Sequence, residues 1–203
     1  MENTKSTALL LSACALGLGF AAQPVLADDD HHRVRATLSG YNEVHFIFSA
    51  GSAGPPVVPP SAALRGAVST KARGTFRATI EKDVITYRLS YRDLEGAVTQ
   101  AHIHFGQPHT VGGIVVWLCQ TAGTPAPAAV AAVTPVCPTT SPAVVEGTIV
   151  AAQVLAVAGQ GIDALQFDEL VSAIRAGATY ANVHSTLFPP GEVRGAIAGR
   201  GDD

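Results

Sequence analysis

Charge is scarce in this chain: only 14% of its residues are Asp, Glu, Lys or Arg, and the formal net charge is −3. No run of the sequence gathers Lys and Arg, which argues against a nucleic-acid groove and against a polybasic membrane patch. Aromatics are sparse too, at 6% with a single Trp, too few for a strong base-stacking or sugar-stacking platform. The three cysteines include no C-x-x-C pair, the spacing that a thiolate metal site wants. There is no G-x-S-x-G, no G-x-x-x-x-G-K-[ST] and no H-E-x-x-H, so the hydrolases and nucleotide enzymes that carry those motifs are not indicated. Glycosidase carboxylate pairs need no local motif and stay open. Nothing positive marks the chain as an enzyme.

One long apolar run is present, at the start. Lys5 supplies a charged beginning, residues 8–22 are apolar apart from Ser12, Cys14 and glycines, and Val25-Leu26-Ala27 makes a small-residue cleavage site before Asp28-Asp29-Asp30. This pattern predicts a secretory signal peptide over 1–27 and a mature domain over 28–203, periplasmic or secreted. Leu11-Ser12-Ala13-Cys14 has the form of a lipoprotein box, but the apolar run continues well beyond the cysteine, which favours cleavage near Ala27. No other segment approaches the ~20 apolar residues of a membrane span. Cys119 and Cys137 remain after cleavage, and an even pair in an exported chain is most simply a disulfide.

The mature chain is rich in Ala, Val, Gly, Pro and Thr and alternates apolar with polar residues in short runs, the period of a half-buried strand. In 33–38, Val34, Ala36 and Leu38 oppose Arg33, Arg35 and Thr37; 74–80 and 84–91 form a hairpin of the same kind. Further strands are predicted over 99–105, 112–119, 144–150, 178–186 and 191–198, of which 112–119 is apolar on both sides. Residues 28–32 read as a tail, 50–63 as a proline-bearing exposed loop and 120–143 as a Pro/Ala-rich surface loop. One helix is expected, with Asp163 as N-cap, Gln166 three residues on, Phe167, Leu170, Val171 and Ile174 along one stripe, and Gly177 at the C-terminal end. The sum is an all-β fold, an antiparallel β-sandwich or flattened barrel with one short helix in a connection.

The same alternation places the histidines. Ala101, Ile103 and Phe105 take one face of their strand and Gln100, His102 and His104 the other; Ala181 and Val183 likewise oppose Asn182 and His184. The imidazoles therefore point away from the aliphatic core. Two histidines in H-x-H stand about 7 Å apart along one strand face, near enough to share an ion. His184 is the candidate third metal ligand, with His109 and Glu192 as neighbours, and three imidazoles suit copper or zinc. The plainer reading is a set of structural polars hydrogen-bonded beneath a loop, with Glu192 and Arg194 as a surface ion pair worth about 0–1 kcal/mol.

Leu38-Ser39-Gly40 with Asn42-Glu43-Val44, then Ile85-Thr86-Tyr87-Arg88-Leu89-Ser90-Tyr91, Ala101-His102-Ile103-His104 with Gly106, Tyr180-Ala181-Asn182-Val183-His184-Ser185 and Pro190-Gly191-Glu192-Val193-Arg194-Gly195 resemble the CHRD family, the domain first described in chordin. The resemblance covers essentially the whole mature chain and looks like the bacterial branch, where a leader precedes one domain. It implies an extracytoplasmic β-sandwich; in chordin the related domains sit in a secreted antagonist of growth factors. The H-x-H strand also resembles that of copper/zinc superoxide dismutases, an analogy of fold that carries no activity. Two departures stand out: the usual E-V-P-P-V is Glu43-Val44-His45-Phe46-Ile47 here, and His109 occupies a turn that commonly lacks it. Two functions follow: a non-enzymatic binding or structural module for an unknown protein or small ligand, or a periplasmic copper or zinc protein built on His102, His104 and His184.

Overall fold

A computed structural model describes residues 33–47 and 64–199. The predicted signal peptide over 1–27, the expected tail over 28–32 and the whole expected proline-bearing loop over 50–63 lie outside the described residues. Strand β1 (Arg33–Ser39) leads through a 3-10 turn (Gly40–Asn42) into β2 (His45–Ile47), which pairs with β3 (Leu64–Gly66) in a small two-stranded sheet. There follow β4 (Arg73–Ile80), β5 (Ile85–Arg92), β6 (Val98–Phe105), β7 (Gly113–Cys119), a one-turn α1 (Ala128–Ala131), β8 (Ala143–Ile149), α2 (Phe167–Arg175), β9 (Thr179–Ser185), β10 (Val193–Ala196) and β11 (Ala198–Gly199). Among the described residues no helix is long and apolar enough to cross a membrane.

The main sheet is one antiparallel surface in the order β7-β6-β9-β10-β1-β4-β5-β8, with β11 beside β1. It rolls into a nearly closed flattened barrel, the second of the two predicted architectures. The Tyr87 hydroxyl on β5 donates to Leu118 O on β7 at 2.7 Å, a bond between strands near opposite ends of the sheet order that only a rolled sheet permits. Inside lie the alternating apolar residues, among them Leu38, Phe76, Ile85, Leu89, Ile103, Leu118, Ile149 and Ile197, joined by Leu170 and Ile174 from α2. Strands β1, β4 and β5 keep the expected wet outer face.

Two boundaries differ from expectation. The helix begins at Phe167 rather than after Asp163: Leu165 takes a positive φ of 71°, and the Gln166 side chain turns back to accept a bond from Asp163 N at 2.8 Å. Its C-terminal end is as expected, with Gly177 at φ 65°. The final strand is broken in two at Ile197, which is buried and donates its N–H to Thr179 O, so that β11 swings over to β1.

Cys119 and Cys137 form a disulfide with a Cα separation of 5.0 Å. It ties down the 120–143 excursion, which is more ordered than a Pro/Ala-rich loop need be: Gln120 Nε2 donates to Ala131 O and Thr134 O, while Ala126 and Val130 pack on Trp117. The 18-residue closure gives about 3 kcal/mol on the chain-entropy model. The Cys119→Ala, Cys137→Ala variant should lose about that much in urea unfolding, and an unchanged midpoint would refute the constraint.

Candidate metal centre

The outer face of β6, β9 and β10 is where the fold departs from a simple wet surface. In the register, His102 lies opposite Asn182, His104 opposite Tyr180, Gln100 opposite His184, and Arg194 opposite Asn182. Paired residues share a face, so the three histidines, Asn182, Tyr180 and Arg194 all rise on the side away from the barrel interior. They do not reach water: His102 is 0% exposed, His104 8% and His184 5%, and every residue of β9 is buried. The expectation that they point away from the core holds, but a second buried layer covers them.

That layer comes from distant parts of the chain. Two irregularities between β6 and β7 let Trp117 stand beside His102, ring centroids 4.3 Å apart, while Val115, Val116 and Leu118 pack into the barrel core. This explains why β7 reads as apolar on both sides. The turn before β7 is held down at Gly112, whose carbonyl accepts from His104 Nδ1 at 2.9 Å and whose N–H donates to the Tyr180 hydroxyl at 3.2 Å. Glu43, from the end of the 3-10 turn, accepts from Asn182 Nδ2 at 2.6 Å through Oε2, and its Oε1 lies 3.9 Å from Arg194 Nε. Gly191, at φ 137°, lets this pair close, since a Cβ there would sit 2.6 Å from Asn182 Nδ2 and 2.7 Å from Glu43 Oε2.

The hydrogen bonds orient the imidazoles. A carbonyl oxygen can only accept, so His104 Nδ1 and His184 Nδ1, bonded to Gly112 O and to Pro189 O at 2.8 Å, both carry protons. In neutral rings this leaves each Nε2 with its lone pair. His102 Nδ1 lies 3.1 Å from His184 Nε2, while the Nε2 atoms of His102 and His104 are buried with no hydrogen-bond partner. One ligand atom from each of the three histidines falls within 4.8 Å of the others. Two nitrogens on one tetrahedral ion would sit roughly 3.3 Å apart, so the 3.1 Å pair is near coordinating distance and the widest separation in the set would have to close by about 1.5 Å.

Burial decides the protonation of the rings. Desolvation, with the neighbouring His184 and His104, drives His102 well below the usual histidine value. His104 is lowered to about 4, chiefly by desolvation and further by His184 and Arg194, against the opposing pull of Gly112 O. Its ring lies parallel to Tyr180 at 4.7 Å, and the Arg194 guanidinium lies over the Tyr180 ring at 4.4 Å. Burial raises the Tyr180 phenol, which keeps its proton.

The remaining sequence candidates separate. Glu192 and Arg194 are not a surface ion pair: they are 0% and 3% exposed and take different partners. Glu192 Oε1 accepts from Thr70 Oγ1 at 2.9 Å and from Glu95 N at 2.8 Å, whereas Arg194 donates to Asn42 O and Thr110 O. His109 sits exposed at the tip of the Gln107–Thr110 turn with φ 63°, outside the histidine cluster. Glu43, Trp117 and Tyr180 were not identified as site residues from the sequence.

A family model of the CHRD domain matches residues 34–197, from the second residue of β1 to the break before β11. The chain belongs to the CHRD domain family. Every residue of the histidine cluster lies within the CHRD match. No curated protein and no solved structure matches the chain.

Proposed function

We propose that this CHRD domain is an exported, non-enzymatic binding module whose ligand is one copper or zinc ion, held by His102, His104 and His184. The observation that carries the reading is the tautomer arrangement: two Nδ1 atoms are committed to backbone carbonyls, and the three rings meet in a buried cluster in which desolvation favours the neutral form of His102 and His104. Metal-bound histidines are oriented in this way, by a hydrogen bond from the other ring nitrogen. Neutral rings also bind without first shedding a proton. In the metal-free protein His102 Nδ1–H donates to His184 Nε2, and moving that proton to His102 Nε2 would free two adjacent lone pairs.

The single Trp makes the test direct, because Trp117 touches His102. Cu(II) should quench its fluorescence with a sharp break at one equivalent, Zn(II) should compete that quenching away, and calorimetry should give one site. No break and no heat would leave the histidines as structural polars that hold loops in place. Export rests on the 1–27 leader; the mass of the secreted protein should correspond to a chain starting at Asp28, and a retained leader or a lipid on Cys14 would refute that.

A further inference from the structure

On the opposite flank of the barrel from the histidines, the outer face of β1, β4, β5 and β8 carries a row of arginines. The register sets Arg35 opposite Arg77, Arg77 opposite Arg88, and Arg88 opposite Glu146, with which it forms an exposed ion pair. Neighbouring strands are ~4.8 Å apart, so three guanidinium side chains stand side by side. Arg33, Thr79, Thr86 and Thr148 form the next row, and Thr37, Thr75 and Ser90 the row on the other side. Among the described residues, four arginines and one glutamate, Arg33, Arg35, Arg77, Arg88 and Glu146, line an open groove of about 680 Å³.

Like charges placed directly opposite destabilise a sheet, so stability does not account for the row. We propose that this groove binds an acidic polysaccharide, its arginines gripping carboxylate or sulfate groups and its threonines the sugar hydroxyls. The planar guanidinium fork matches both anions through paired hydrogen bonds. Phe76, Tyr87 and Tyr91 turn their rings into the core, so this face offers no exposed ring on which a base could stack. Its outward residues are Arg, Thr, Ser and Glu apart from Val144, so nothing wedges into lipid.

The purified protein is tested against heparin as the sulfated probe, polygalacturonate as the carboxylated one, and dextran, oligo-dT and anionic phosphatidylglycerol vesicles as comparisons. At least one acidic polysaccharide should bind, more weakly as salt rises, and dextran should not. Arg77→Gln with Arg88→Gln should weaken that binding about a hundredfold, two charge-assisted contacts at roughly tenfold each. Arg175→Gln, on α2, should change nothing. Thr79→Val with Thr86→Val should weaken polysaccharide binding severalfold without affecting oligo-dT. Arg77→Gln alone, which removes the repulsion towards Arg35 and Arg88 and leaves the Arg88–Glu146 ion pair in place, should melt no lower than the parent. Four outcomes would overturn the proposal: binding to neither polysaccharide, equal binding by the double arginine variant, tighter binding to oligo-dT or to vesicles, or an Arg77→Gln variant that melts lower.

Discussion

Free Cu(II) or Zn(II) at about a thousand times its dissociation constant should raise the melting temperature of the protein by roughly 8–16 °C, and the His102→Ala, His104→Ala variant should show no rise. An ion that binds only the folded state stabilises it by RT ln(1 + [L]/Kd), about 4 kcal/mol at that ratio. A domain of this length gains about 2–4 °C per kcal/mol. The buried setting makes the comparison clean, because the cluster is assembled from β6 and β9, whose pairing is lost on unfolding. The variant will itself melt lower, having lost two buried side chains, so the measured quantity is the metal-induced difference within each protein. Equal shifts in parent and variant would place the ion elsewhere, for example at exposed His109.

Much of this cluster was legible from alternation alone, and the part that was not has a specific physical reason. A two-residue period says which side of a strand a residue takes, and it put His102, His104, Asn182 and His184 on one side correctly. It says nothing about what lies over that side. The covering comes from residues far away in sequence: Glu43, 139 residues before its partner Asn182, and Thr70, 122 residues before its partner Glu192. Arg194 and Glu192 therefore read as an exposed pair when each is buried with its own partners. The arginine row was missed for the same reason. Arg35, Arg77 and Arg88 are scattered in the chain, and only the strand order β1-β4-β5 makes them neighbours. The helix start was misplaced because Asp163 and Gln166 have the spacing of a capping box, whereas here the Gln166 side chain closes the turn that precedes the helix.

The metal-free protein should also lose stability on mild acidification, before most carboxylates titrate. His104 has a folded pKa of about 4 against an ordinary 6.5, so the unfolded chain binds its proton first. Its contribution is fully present above pH 6.5 and is lost as the pH falls towards 4. The loss is about 1 kcal/mol at pH 5.5 and about 3 kcal/mol by pH 4. His102, lowered in the same direction by burial and its two histidine neighbours, adds to it. Urea unfolding at pH 7, 5.5 and 4 measures the slope, and the His104→Gln variant isolates the histidine part, since it keeps every carboxylate. The variant's stability should fall less steeply than the parent's over this range. Identical slopes would mean that the His104 ring takes up its proton as readily folded as unfolded. That result would contradict the sealed, neutral cluster on which metal binding depends, because a ring that charges easily in place has water or an anion beside it.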